Sequence, residues 1–282
     1  GSYNMHLMRA ESPGPSVGKL VPRVKNTAMI LYGIYIVITV LEILCLLVAG
    51  MGLYEAMTLT FSTVGTGGFG LLNTSIGSYS TVVQTIFTVF MLLCGINFQL
   101  YYLLLIWKPK DVFGCEELRY YLGIVLVSAA LIAFDVRGLF ASGFEAFHHA
   151  LFQVASIITT TGFATLDYDV WPEFSKAILF LLTLLGACAG STGGGFKVSR
   201  LVILWRCVKN EISLAAHPRS IRKIHMEGHI VEEGTLRSVQ VYTAIYVLLF
   251  LGSFLRIRKT LYGYTVARKG WKTDLKTLPQ SL

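Results

Sequence analysis

Twice in this chain an apolar stretch too short to cross a bilayer runs directly into a cluster of threonine and glycine, and the two clusters sit 94 residues apart. The first is FSTVGTGGF at 61–69, after apolar residues 53–64, and the second is SIITTTGF at 156–163, within and after residues 144–158. A bilayer core about 30 Å thick requires roughly 20 apolar residues in helix. A shorter helix that dips in and returns as loop is tolerated at membrane depth only where protein or a water-filled cavity satisfies the freed backbone groups. If these segments lie in a membrane, both imply a pore or a binding cavity.

Composition places them there. Apolar residues make up 54% of the chain and charged residues 14%, little more than half the charged share of an average soluble domain. The mean hydropathy is +0.62. Four stretches reach or approach spanning length, at 27–51, 81–107, 118–134 and 174–207, and a shorter uncharged one lies at 239–255. The net charge of +8 does not form a stripe that would suit nucleic acid, because the basic residues fall between the apolar runs. Lys108, Lys110 and Arg119, and then Arg206, Lys209, Arg219, Arg222, Lys223 and Arg237, join the N-terminal Arg9, Lys19, Arg23 and Lys25 on one side. The excess of Lys and Arg in cytoplasmic loops puts that side in the cytoplasm, so both short helices enter from outside. The five cysteines are odd in number and widely spaced, which indicates neither a disulfide framework nor a zinc site. They read as small apolar fillers.

The organisation expected is an all-α, multi-pass membrane protein. It begins with a polar lead-in at 1–26, a span, short helix and span at 27–107, and a cytoplasmic loop at 108–117. A second such unit follows at 118–207 with its last helix broken, then a cytoplasmic linker at 208–238, one span at 239–255, and a basic tail at 256–282. Shifting the chain by 94 residues lays Gly68 on Gly162, Phe69 on Phe163 and Cys94 on Cys188, which marks an internal repeat. One such unit provides one wall of a pore. Several walls are needed, in one chain or by assembly.

A cation stripped of water needs oxygens in place of its hydration shell, and a run of Thr and Gly can turn successive backbone carbonyls toward one axis. Glycine tolerates the φ values that such a ladder requires. The helix ahead of each run aims its partially negative C-terminal end at the same place. The candidate filter residues are Val64, Gly65, Thr66, Gly67 and Gly68 in the first unit and Thr159, Thr160, Thr161 and Gly162 in the second. A plain glycine turn packing two helices is the competing reading of either motif, and their recurrence at a fixed period weighs against it.

A second constellation, GACAGSTGGGFK at 186–197, interrupts the fourth apolar stretch. Three consecutive glycines weaken a helix, so a break or mobile loop is expected at 193–195. The candidate gating residues are Gly190, Ser191, Thr192, Gly193, Gly194, Gly195 and Lys197, with Lys197 either snorkelling or repelling cations in a closed state. Close helix packing through small residues is the alternative. A phosphate-binding loop fits poorly, because Lys197 is displaced by one position and no Ser or Thr follows it directly.

Glu42 falls inside the first span and is either functional or held protonated or against a partner. His148 and His149 flank the second short helix, at the outer mouth or in packing, and Asn97 is placed to hydrogen-bond across helices. His225 and His229 read as solvated cytoplasmic residues, with no third metal ligand in view. No catalytic arrangement is legible, so an enzyme is not expected.

At these residues the chain resembles the membrane subunit of bacterial Trk/Ktr-type potassium uptake systems. The resemblance rests on RAESPGP at 9–15, residues 61–69, CGINF at 94–98, residues 156–171 with Pro172, and AGSTGGGFK at 189–197. It runs from about Met5 to Phe254. It implies four span, pore-helix, span repeats around one potassium pathway with one filter glycine per repeat, of which Gly68 and Gly162 would be two. It implies that residues 189–197 form an intramembrane gating loop in the third repeat. It also implies a homodimer in the bacterial inner membrane, a cytoplasmic ring of nucleotide-binding regulatory subunits, the lipid bilayer as surroundings, and no cofactor besides the transported potassium. Only the second and third repeats are complete, and after Phe254 the sequence turns basic, with Arg256, Arg258, Lys259, Arg268, Lys269, Lys272 and Lys276 and no fourth filter. A truncated or frame-disrupted chain is the expectation there. The function expected is potassium transport through a carbonyl-lined filter. The rivals are a non-conducting remnant or scaffold and, from the imperfect phosphate loop, a nucleotide-binding membrane enzyme.

Overall fold

The computed structural model describes residues 24–217 and 224–276. The polar lead-in up to residue 23, with the 9–15 motif, and the last six residues of the basic tail lie outside them. The helices, in order, are α1 (Val24–Val48), α2 (Leu53–Val64), α3 (Thr81–Cys94), α4 (Phe98–Leu105), α5 (Pro109–Gly114), α6 (Glu116–Val136), α7 (Gly143–Ile158), α8 (Glu173–Leu184), α9 (Val198–Ala216) and α10 (Glu233–Lys276). A two-stranded hairpin, β1 (His225–Met226) paired antiparallel with β2 (His229–Ile230), follows α9. The chain forms two units, one ending at Val231 and the other beginning at Glu232.

In the first unit, the repeat seen in the sequence becomes a repeat of structure. The short apolar stretches are the helices α2 and α7, each ending at a glycine- or threonine-rich turn. α7 starts where the Ser142 hydroxyl accepts a hydrogen bond from Glu145 N at 3.2 Å, the usual device for satisfying a free N–H at a helix start. It is held along α6 by a seam with steps of three or four residues. Tyr121, Val125, Ala129, Ile132 and Val136 of α6 meet Ala146, Ala150, Val154 and Ile158 of α7, closed by Leu179 and Leu182 of α8. The alanines in the seam let the two backbones approach closely, as membrane helix interfaces require. α2 is fixed by a second cluster in which Ala56 and Leu59 pack with Leu46, Phe87 and Met91, and this cluster also includes Phe152, Ala155 and Phe163 of the second repeat. The two repeats therefore share one core. The outward faces carry Val37, Val40, Leu41 and Leu44 of α1 and Leu122, Leu126 and Val127 of α6, all exposed. Apolar surface of this extent suits lipid contact.

The helices Asn26–Val48 and Glu116–Leu139 are long and apolar enough to cross a membrane. The second apolar stretch, expected to be one span, is two helices: α3 and α4 meet at 91°. The break follows from Cys94-Gly95-Ile96-Asn97. Gly95 ends α3, and the Asn97 side chain restarts the chain as α4 by accepting from Gln99 N at 2.9 Å. Asn97 thus caps a helix, where the sequence suggested a bond between helices. The fourth stretch is interrupted far more widely than the three glycines alone suggested: α8 ends at Leu184 and α9 begins at Val198.

The second unit is the single helix α10, which contains a third candidate span at Glu233–Arg256. The expected span at 239–255 falls inside it.

Candidate functional site at the two glycine turns

The N–H groups that follow each short helix turn back onto it, in the same pattern in both repeats. After α2, Gly65 N donates to Phe61 O at 3.0 Å, Thr66 N to Thr63 O at 2.9 Å, and Gly67 N to Ser62 O at 2.7 Å. After α7, Thr159 N donates to Ala155 O at 3.1 Å, Thr160 N to Ile157 O at 3.0 Å, and Thr161 N to Ser156 O at 2.9 Å. Each bond in the second set is the first shifted by the repeat. With their N–H groups turned toward the helix, the peptide units present their carbonyls on the opposite side. Among the described residues, the carbonyl oxygens of Thr66, Gly67, Gly68, Thr160, Thr161 and Gly162 accept no hydrogen bond from the protein. A carbonyl without a partner is costly unless something polar meets it.

The backbone that achieves this is strained at matched positions. Thr66 and Gly68 have φ of 51° and 68°, and Thr160 and Gly162 have 58° and 90°. The helix-capping Gly65 and Thr159 have φ of −76° and −83°. Left-handed residues thus alternate with others at the same positions of both repeats. A β-branched residue in the left-handed region is an outlier at a cost of about 1–2 kcal/mol, so two threonines there must be held by their surroundings. Their own hydroxyls help: Thr66 Oγ1 donates to Gly65 O at 2.8 Å and Thr160 Oγ1 to Thr159 O at 2.6 Å. Past each turn a serine on the short helix fixes the following phenylalanine. Phe69 N donates to Ser62 Oγ at 2.6 Å, and Ser156 Oγ donates to Phe163 O at 2.5 Å.

The two turns face each other. A Cβ built on Gly68 would overlap Thr161 O and lie 2.9 Å from Thr161 C, so only glycine fits this approach. A Cβ on Gly162 would meet nothing within 4 Å and would stand in open space. Outside the turns, Ile76 N donates to Ala164 O at 3.0 Å and Ala164 N to Ser75 Oγ at 3.1 Å, tying the first repeat's loop to the second repeat's exit. His148 Nε2 pairs with Gln84 Oε1 at 3.1 Å and His149 Nδ1 with Thr165 Oγ1 at 3.0 Å, so both histidines brace this end. Gln84 and Thr165 gave no signal in the sequence, because their partners are distant in the chain.

The glycine loop lies against the turns. Residues 185–187 and 196–198 run side by side in the same direction, through Gly186 N to Phe196 O at 2.7 Å and Val198 N to Ala187 O at 3.3 Å, so the loop closes on its own base. From there Gly194 N donates to Thr160 Oγ1 at 2.7 Å, and Thr192 O accepts from Thr66 Oγ1 at 3.0 Å. The loop therefore touches the strained threonine of both repeats. Gly190 O accepts from Phe98 N at 3.0 Å at the bend between α3 and α4. Lys197 is buried and its ammonium turns back to donate to Gly193 O, within its own loop. Val64 is buried at the end of α2, and Ser191 Oγ donates to Cys188 O at 2.6 Å. The residues singled out at 64–68, 159–162 and 190–197 thus gather in one place.

Glu42 is fully buried on α1, and among the described residues both its carboxyl oxygens lack a hydrogen-bond partner. His225 and His229 fall on the two strands of the hairpin, so their spacing of four does not put them on a helix face. The buried acidic residue that does contact the glycine loop is Glu117, which sequence reading passed over.

Comparison with known proteins gives the family of the chain. Residues 1–134 and 141–265 match the family described as TrkH, cation transport protein. The chain is 34% identical over 265 residues to the Trk system potassium uptake protein TrkH of Escherichia coli K12, covering 92% of this chain and 55% of that protein. It is 33% identical over 287 residues to the protein of the same name from Halomonas elongata, covering 99% of this chain and 58% of that one. The crystal structure of the potassium transporter TrkH from Vibrio parahaemolyticus superimposes with a TM-score of 0.80 at 31% identity, covering 87% of this chain and 54% of that chain. The chain spans about half the length of the relatives it matches.

Proposed function

Because this chain belongs to the TrkH family of cation transport proteins, membrane proteins and not enzymes, we propose that it contributes two walls of a potassium-conducting pathway. The nucleotide-binding enzyme reading falls away with that membership. The observation that carries the proposal is the approach of the two turns, Gly68 against Thr161, with carbonyls that no protein donor occupies. Residues 64–68 and 159–162 coordinate the ion by backbone oxygen, and the C-terminal ends of α2 and α7 add partial negative charge at the same point. No carboxylate is required among the coordinating groups. One turn supplies one wall, so further walls complete the ring, from other repeats or another copy. Potassium is the expected cargo because the relatives are potassium uptake proteins.

The glycine loop at 190–197 serves as the gate, since it bonds to Thr66 and Thr160 and would have to leave for an ion to continue past them. The basic loops put its side in the cytoplasm. A bacterial inner membrane, a homodimer and a cytoplasmic ring of nucleotide-binding regulatory subunits complete the proposed setting, each by likeness to the family.

Reconstitution into liposomes tests the proposal. Potassium is expected to enter faster than sodium by about tenfold, the ratio that a difference near 1.4 kcal/mol in coordination would give. Equal entry of both ions would contradict it.

A further inference from the structure

The glycine loop bonds to the turns through Gly194 N and Thr192 O, and to the α3–α4 bend through Gly190 O and through Thr192, whose N–H and hydroxyl both donate to Cys94 O at 3.3 and 3.2 Å, and both of its ends are buried. Besides the backbone pairing at the loop's base and the bond from Cys188 N to Gly95 O at 3.0 Å, one carboxylate oxygen joins the two ends. Glu117 Oε1, from the first turn of α6, accepts from Ala189 N at 2.8 Å and from Ser199 N at 2.9 Å. These two residues stand immediately before and just after the loop. Glu117 is itself 4% exposed.

The second of these bonds has a local reason. α9 begins at Val198 after an N-cap, Lys197, whose side chain makes no capping bond, so the helix cannot satisfy its own first N–H groups. Glu117 does so from another helix, and its negative charge suits the positive end of α9. The same oxygen also takes the N–H of Ala189, which ties the residue before the loop to the start of α9. Lys197, inside the loop, supplies the opposing charge nearby. The adjacent Glu116 has a different partner. It pairs with Arg206, further along α9, at 2.8 Å, and its carboxylate also accepts from Glu227 N of the hairpin at 3.4 Å.

We infer that Glu117 is a positioning residue, a latch that keeps the glycine loop seated on the two turns by holding both of its ends. The inference deepens the reading of residues 190–197 as a gate and rests on it for its functional meaning. Its test reads loop position without any ion flux, so failure of the latch and failure of the gate are separate results.

Cys188 is a native reporter: it is fully buried, and both N–H and hydroxyl of Ser191 bond to its carbonyl. The intact protein carrying Leu46→Cys in liposomes is exposed to a membrane-impermeant thiol reagent from both sides, and labelling at Cys188 and at position 46 is quantified by peptide mass mapping. Glu117→Ala is expected to speed labelling of Cys188 about ten- to hundredfold, the shift that loss of charge-assisted hydrogen bonds produces. Glu117→Gln keeps an acceptor oxygen and is expected to raise it only a few-fold. Glu116→Gln, which loosens α9 elsewhere, is expected to leave it unchanged. Position 46, fully buried on α1 in the cluster with Ala56, Leu59, Phe87 and Met91 that includes no residue of the loop, serves as the control for general unfolding. The latch is overturned if Glu117→Ala leaves Cys188 protected. It is equally overturned if the cysteine at position 46 becomes reactive in step with Cys188, or if Glu116→Gln exposes Cys188 as much as Glu117→Ala does.

Discussion

Gly68→Ala is expected to abolish potassium flux and to destabilise the protein, whereas Gly162→Ala is expected to fold nearly normally and to change which ions pass. The two glycines are equivalent by repeat and share a left-handed backbone, at φ of 68° and 90°. Either alanine therefore incurs the conformational cost of about 1–2 kcal/mol. Their surroundings differ. The methyl group at 68 would overlap Thr161 O, which is backbone and cannot rotate away, so the turns must separate. Overpacking adds about 1–3 kcal/mol, giving a total near 3 kcal/mol or more. The methyl at 162 meets no atom within 4 Å and projects into the open space beside the carbonyls, where the proposal has the ion travel. Thermal unfolding in detergent is expected to separate the variants, with a clear fall for Gly68→Ala and a small one for Gly162→Ala. Liposome flux is expected to show no transport for the first and reduced potassium preference for the second.

The second large effect concerns the loop. A Cβ at Gly193 would lie 2.8 Å from Ala187 Cβ and 3.1 Å from Thr159 O, pinched between the loop's base and the second turn. Both neighbours are anchored, Thr159 by its bond to Ala155 O and Ala187 by its place in the core. The loop itself is the part that can yield. Gly193→Ala is thus expected to lift the loop off the turns and raise the resting potassium leak by about tenfold, as a shift near 1.4 kcal/mol would. Gly194→Ala meets only the Thr160 side chain, at 3.1 Å, and is expected to have a smaller effect. Flux measured without any activating condition distinguishes them.

Much of this arrangement was legible because it is written locally. A short apolar helix followed by Thr and Gly signals itself, and its recurrence after 94 residues located both turns, while three consecutive glycines within an apolar stretch located the loop. The 91° bend between α3 and α4 was missed, since hydropathy runs unbroken through 81–107 while the break depends on one glycine and one capping asparagine. The loop's true extent, from 185 to 197, depends on pairing with its own base and with Glu117, contacts that no periodicity reveals. Glu117 itself looked like an ordinary acidic residue at a helix start. Sequence reading was drawn to Glu42 because it interrupts an apolar span, while the acidic residue that grips the loop sits where acidic residues are common. Gln84, Ser75 and Thr165 likewise gain meaning only from partners far along the chain.

Crystals of the protein grown with thallium in place of potassium address the central claim directly, since the heavier ion is visible by anomalous scattering. The expected result is a peak in the space flanked by the carbonyls of Thr66, Gly67, Thr160 and Thr161. Thallium bound elsewhere, with that space occupied by side chain or lipid, would contradict it.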